Sequence, residues 1–136
     1  MGYHWSEAAD LEWAERPPKE GEQPRLAGGV TEALALQSSR ARLWRYPPHS
    51  TGRRHCDHAQ EEVFVCVSGT MTMLLGDGDA LKRVDLGPGG VVAVEPMTAL
   101  QLRNESDEEL VVFIYGAPPV QEGADFLDDV ELPPRA

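Results

Sequence analysis

The chain has 136 residues, 41% of them hydrophobic and 26% charged, with a formal net charge of −11. That length suits one domain able to bury a core without disulfides or a structural metal. The acidity argues against nucleic-acid binding through phosphate contacts and against adhesion to an anionic membrane surface, and no apolar run approaches the length of a membrane span.

The first residues, MGYHWSEAADLEWAER, lack a basic start followed by an apolar stretch, so no secretory signal is expected. The two cysteines, Cys56 and Cys66, form neither a disulfide framework nor the spacing of a zinc module. Free thiols in a reducing cytoplasm follow as the expectation.

Three zones are visible in chain order. Residues 1–34 read as an N-terminal arm, in which SEAADLEWAER has the composition of a short helix with Ser6 as N-cap. Residues 35–117 form the regular zone. Residues 118–136 are acidic and Pro-containing and read as a tail with one short turn.

The regular zone predicts strands. Residues 39–47 carry β-type side chains and end at Pro47-Pro48. Residues 62–69 alternate and stop at Gly69, and residues 70–79 end in Gly76-Asp77-Gly78. Residues 81–90, 91–96, 98–108 and 109–119 continue the pattern. Short strands punctuated by Gly, Pro and Asp indicate an all-β sandwich or barrel. The run VVFIY, residues 111–115, is apolar at successive positions and predicts a central strand packed on both sides.

Within this zone, HCDHAQEE (residues 55–62) concentrates metal-ligating residue types. Strand geometry places residues i and i+2 on one face. His55 and Asp57 therefore point inward together, with Cys56 turned away. On the next strand Glu62, Phe64, Cys66 and Ser68 share a face, and on a later strand Leu100, Leu102 and Asn104 do.

Residues 39–117 resemble the conserved barrel of the cupin superfamily, a small jelly roll carrying two short motifs. In the first motif, His55 takes the first histidine position, Glu62 the glutamate and Gly69 the closing glycine; Asp57 stands at the second histidine and His49 at the opening glycine. In the second, Gly89 and Asn104 match, while Glu95 stands at the proline, Met97 at a glycine and Leu100 at the histidine.

The resemblance implies an all-β, cupin-type jelly-roll barrel (a double-stranded β-helix) with the arm and tail appended. In metal-binding members the motif histidines and glutamate hold a divalent ion. By position that implies His55, Asp57 and Glu62, with His58 in reserve and Cys56, His58 and Glu62 as a shifted set. The ion would be Mn, Fe, Ni or Zn. Leu100 offers no lone pair where the fourth ligand belongs, which weakens such a site. Gln101 adjoins the lost histidine but is expected to face the other way. Without a metal, buried carboxylates need partners, for which Arg53 and Arg54 are candidates.

Two functions remain in view. One is a small molecule bound in the barrel by a cupin with a degenerate metal site, against a lining of His55, Asp57, Glu62, Phe64, Cys66, Leu100 and Leu102. The other is a metal-dependent oxygenase, isomerase or decarboxylase using His55, Asp57 or His58, and Glu62. The sequence leaves open whether the protein is an enzyme.

Arg40, Arg42, Arg45, Arg53 and Arg54 form the main basic region, read either as an anion-binding rim or as charge protecting a strand edge. Trp44 and Tyr46 share the face of Arg40 and Arg42, and line either the pocket or an interface of a homodimer. Met71 and Met73 read as core first and as soft cavity lining second. Cys66 reads as an inert buried thiol rather than a reactive one.

Overall fold

The computed structural model describes residues 2–119 and 123–135. Among these residues eleven strands appear in chain order: β1 (Trp13–Arg16), β2 (Arg25–Gly29), β3 (Arg40–Tyr46), β4 (His55–Asp57), β5 (Glu61–Ser68), β6 (Met71–Leu75), β7 (Lys82–Leu86), β8 (Val91–Val94), β9 (Ala99–Arg103), β10 (Leu110–Ala117) and β11 (Ala124–Phe126). They form a six-stranded sheet, β1-β2-β3-β10-β5-β8, and a five-stranded sheet, β11-β4-β9-β6-β7. Every strand pair is antiparallel, and the two sheets close over one core as a jelly-roll barrel.

The core follows the period of two. Phe64 and Cys66 from β5, Leu110 and Val112 from β10, and Met71 and Met73 from β6 are all buried in it, joined by Leu100 and Leu102 from β9. Each such side chain contributes about 1.5–3 kcal/mol by leaving water.

The turns between strands keep the backbone of both motifs. Gly69 has φ 85° and Gly89 φ 88°. A Cβ on Gly69 would lie 2.6 Å from the Glu109 carbonyl oxygen. His49 and Met97, which stand where the motifs carry glycine, retain left-handed backbone with φ 56° and 67°. Asn104 is buried and donates to the carbonyls of Tyr46, Pro47 and Glu108, tying the ends of β3 and β9 to the loop before β10.

Two expectations are corrected. The helix over residues 6–16 is a single 3-10 turn at Ala8–Asp10, followed by β1. Ser6 Oγ donates to the Glu7 carbonyl instead of capping. The arm instead builds a hairpin, β1–β2, onto the edge at β3, and Glu22 in its loop accepts hydrogen bonds from Thr51 N and Oγ1 at the barrel rim. Secondly, β10 is central in the hydrogen-bond order, but only one face is fully buried. Leu110 and Val112 point inward, while Val111 and Phe113 are half-buried and Tyr115 is exposed.

The tail contributes β11 to the second sheet and then runs over that sheet's outer face. Gln101 does face away from the barrel interior; its Nε2 donates to Gly52 O and Asp129 Oδ1. Arg54 and Arg83 donate to the Asp128 and Pro133 carbonyls. Among the described residues no helix is long and apolar enough to cross a membrane.

Candidate functional site

A cavity of about 700 Å³ opens at one end of the barrel. Phe64, Leu100, Leu102 and Ile114 supply its apolar part, and His55, Asp57 and Glu62 also line it. The hairpin of the arm adds Arg16 and Arg25, β3 adds Arg40, Arg42, Trp44 and Tyr46, and the segment before β4 adds Arg53. Phe126 of β11 stands at the wall with the Arg53 guanidinium 3.5 Å from its ring centroid.

Cys66 is not part of the cavity lining. It lies two residues further along β5 than Phe64, inside the closed core, with Sγ 3.4 Å from the Gly69 carbonyl oxygen. Burial pushes its thiol pKa up. The alternation placed it on the correct face but carried no information on depth.

Of the predicted ligands, only His55 and Glu62 come together. His55 Nδ1 is 3.0 Å from the Arg53 carbonyl oxygen, and its Nε2 is 3.5 Å from Glu62 Oε1. Both ring nitrogens thus face acceptors, an arrangement that the imidazolium satisfies best. Burial pulls the His55 pKa down, but the Glu62 contact, the Arg53 carbonyl and the charges of Glu62 and Asp57 together outweigh it and hold the pKa above its ordinary value. Glu62 Oε1 is buried without a hydrogen-bond partner of normal length, since 3.5 Å is long for one.

Asp57 lines the cavity, yet its Oδ1 accepts from the backbone N–H groups of Ala59 and Gln60 at 3.1 and 2.9 Å. This is an Asx turn that closes the β4–β5 connection. His58, the reserve ligand, pairs outside the cavity with Asp125 at 3.0 Å. Cys56 is buried away from the cavity, so the shifted set of Cys56, His58 and Glu62 does not converge either. Neither Arg53 nor Arg54 rescues Glu62: Arg54 turns to Asp77 at 3.1 Å, and Arg53 stacks on Phe126.

Leu100 adjoins His55 within one sheet. It is the register partner of His55 on the adjacent strand β9, and Glu62 comes from the facing sheet. A metal would therefore meet His55 and Glu62, a carboxylate engaged in a turn, and a methyl-bearing side chain at the fourth position. Among the described residues no group of three or more His, Cys, Asp or Glu is arranged to hold a metal ion. The donor set does not fit the divalent ion that the motif positions imply.

The arginines were the signal that strand alternation partly revealed. Arg42, Trp44 and Tyr46 share the inner face of β3 with Arg40, whereas Arg45 faces out and pairs with Glu109 at 3.0 Å. Trp44 and Tyr46 line the cavity. Their rings pack edge-on with centroids 5.8 Å apart. The Arg25 guanidinium sits 5.3 Å from each ring centroid and donates to the Tyr46 hydroxyl at 3.2 Å. Gly52 permits that approach, because a Cβ there would lie 2.6 Å from the hydroxyl oxygen. Arg16 and Arg25 escaped the sequence reading, since nothing in residues 1–34 announced a hairpin pairing with β3.

An antiparallel jelly-roll barrel with an open, lined end is the architecture of the cupins. The cupin domain family model matches residues 42–115, and the chain belongs to that family. Among solved structures, a sugar phosphate isomerase from a cupin superfamily of Silicibacter pomeroyi is similar at 19% identity, with a TM-score of 0.73 over 90% of this chain and 81% of that one. A predicted oxalate decarboxylase from Thermotoga maritima aligns at 13% identity and a TM-score of 0.69, over 82% of this chain and 96% of that one. An uncharacterized conserved protein with a double-stranded beta-helix domain from Klebsiella pneumoniae aligns at 18% identity and a TM-score of 0.66, over 83% and 90% of the two chains. At these identities the likeness establishes the fold. No curated protein matches the sequence.

Proposed function

We propose that this cupin binds a small molecule inside its barrel, without a resident metal centre. One observation carries the reading: a cavity of about 700 Å³ with an apolar floor and a few convergent polar groups. Its volume falls within the roughly 300–1,000 Å³ of small-molecule sites. The His55–Glu62 pair on its wall supplies polarity, and Phe64, Leu100 and Leu102 exclude water beneath it.

The test is retention of small metabolites. Purified protein is incubated with a small-molecule extract, and compounds that stay with it through ultrafiltration are identified by mass spectrometry. Ile114→Trp, at a partly buried wall position, places an indole in the cavity. Compounds held by the wild type and lost in a folded Ile114→Trp variant support the reading; equal retention by both overturns it.

A further inference from the structure

The charge on the cavity wall opposes the charge of the chain. At −11 overall, the protein places five of its ten arginines, Arg16, Arg25, Arg40, Arg42 and Arg53, around one cavity. Arginines elsewhere meet carboxylates: Arg45 with Glu109, Arg54 with Asp77, Arg83 with Asp85 and Arg103 with Glu105. Among the described residues no carboxylate oxygen lies within 4.0 Å of Arg16, Arg25, Arg42 or Arg53.

The arrangement runs against ordinary strand pairing. Arg16 and Arg25 are direct register partners on β1 and β2, a like-charge pair that destabilises a sheet. Arg42 is half-buried beside them and feels the charges of Arg16 and Arg40, with Glu32 opposing. Among the described residues the carboxylates lining the cavity are Glu62, which faces His55, and Asp57, which is engaged by turn amides. Trp44 backs the guanidinium groups, with Arg16 5.8 Å and Arg25 5.3 Å from its ring centroid.

Resting on the cavity-binding reading above, we propose that the ligand is a small organic oxyanion, a carboxylate or a phosphate ester. Its charged group docks on the arginine wall of Arg16, Arg25 and Arg42, and its apolar body lies against Trp44 and the floor at Ile114 and Leu102. The guanidinium fork matches either oxyanion with two parallel hydrogen bonds, and a partly desolvated site strengthens them.

The probes are benzoate, phenyl phosphate and the neutral benzyl alcohol, titrated against the full chain. Calorimetry reads affinity, and the Trp44 indole NMR resonance, assigned with Trp44→Phe, reads location. The expected result is that one or both anions bind, shift that resonance, and bind at least about tenfold tighter than benzyl alcohol. Which anion binds tighter identifies the group as carboxylate or phosphate. Arg42→Gln and Arg16→Gln should each cost about tenfold or more in anion affinity, with Arg45→Gln on the outer face without effect. Benzyl alcohol binding as tightly as the anions, at Trp44, would overturn the oxyanion class and leave cavity binding standing. Undiminished anion affinity in folded Arg42→Gln and Arg16→Gln variants would overturn the arginine wall. No response at Trp44 to any probe would count against both.

Discussion

His55 and Leu100 lie directly opposite each other on the adjacent strands β4 and β9, with Glu62 reaching His55 from the facing sheet at 3.5 Å. An imidazole at position 100 would therefore adjoin His55 rather than face it from a distance. Wild-type protein purified without added metal should carry no stoichiometric iron, manganese, nickel or zinc. Leu100→His should gain binding of about one zinc or nickel ion, and Leu100→His with Glu62→Gln should lose it again. Elemental analysis checks this, and stoichiometric metal in the wild type that disappears in Glu62→Gln would reverse the reading.

The same His55–Glu62 contact predicts a pH dependence of stability. The folded-state pKa of His55 is raised above its ordinary value of 6.5. Its contribution is therefore fully present below about pH 6.5 and is lost as pH rises through the folded value. Urea unfolding of wild type and His55→Gln should differ most at mildly acidic pH, with the gap narrowing toward pH 9. A gap that widens with pH would contradict the geometry.

Arg42 and Arg83 should respond oppositely to the same change. Arg83 is largely buried, holds Asp85 at 3.0 Å and donates to the Pro133 carbonyl at 2.9 Å. Arg83→Gln leaves Asp85 short of a partner and should cost about 2–3 kcal/mol. Arg42 sits among like charges, so Arg42→Gln should leave the melting temperature equal to or above that of the wild type. Calorimetric melts of the two variants decide it.

Backbone handedness at the motif turns gives a further contrast. Gly69→Ala meets both a left-handed φ and the Glu109 carbonyl, and should destabilise by more than about 1–2 kcal/mol. Met97 already holds φ 67° with an exposed side chain. Met97→Gly should relieve strain that exceeds the added chain entropy, for a gain of about 0.5–1 kcal/mol. Chemical denaturation of both variants measures the pair.

The sequence by itself determined the barrel. Period-two alternation put Phe64, Leu100, Leu102 and Met73 inside, and the turn residues Gly69 and Gly89 fell where left-handed backbone is required. It also brought His55 and Glu62 to one interior, because residues two apart on a strand share a face and the motif spacing fixes which strands follow. Alternation sets a side chain's face, but neither its depth along the barrel nor the strand beside it nor its rotamer. Tertiary structure decided those. It sank Cys66 below the floor, turned the Asp57 carboxylate onto the amides of its own turn, and sent His58 out to Asp125. It also folded the arm back as a hairpin on β3, which brought Arg16 and Arg25 to Arg42 from distant parts of the chain. The eight-residue cluster that looked like a metal site thus resolves into one histidine–glutamate pair, while Arg16 and Arg25 join Arg42 at the cavity through long-range strand pairing.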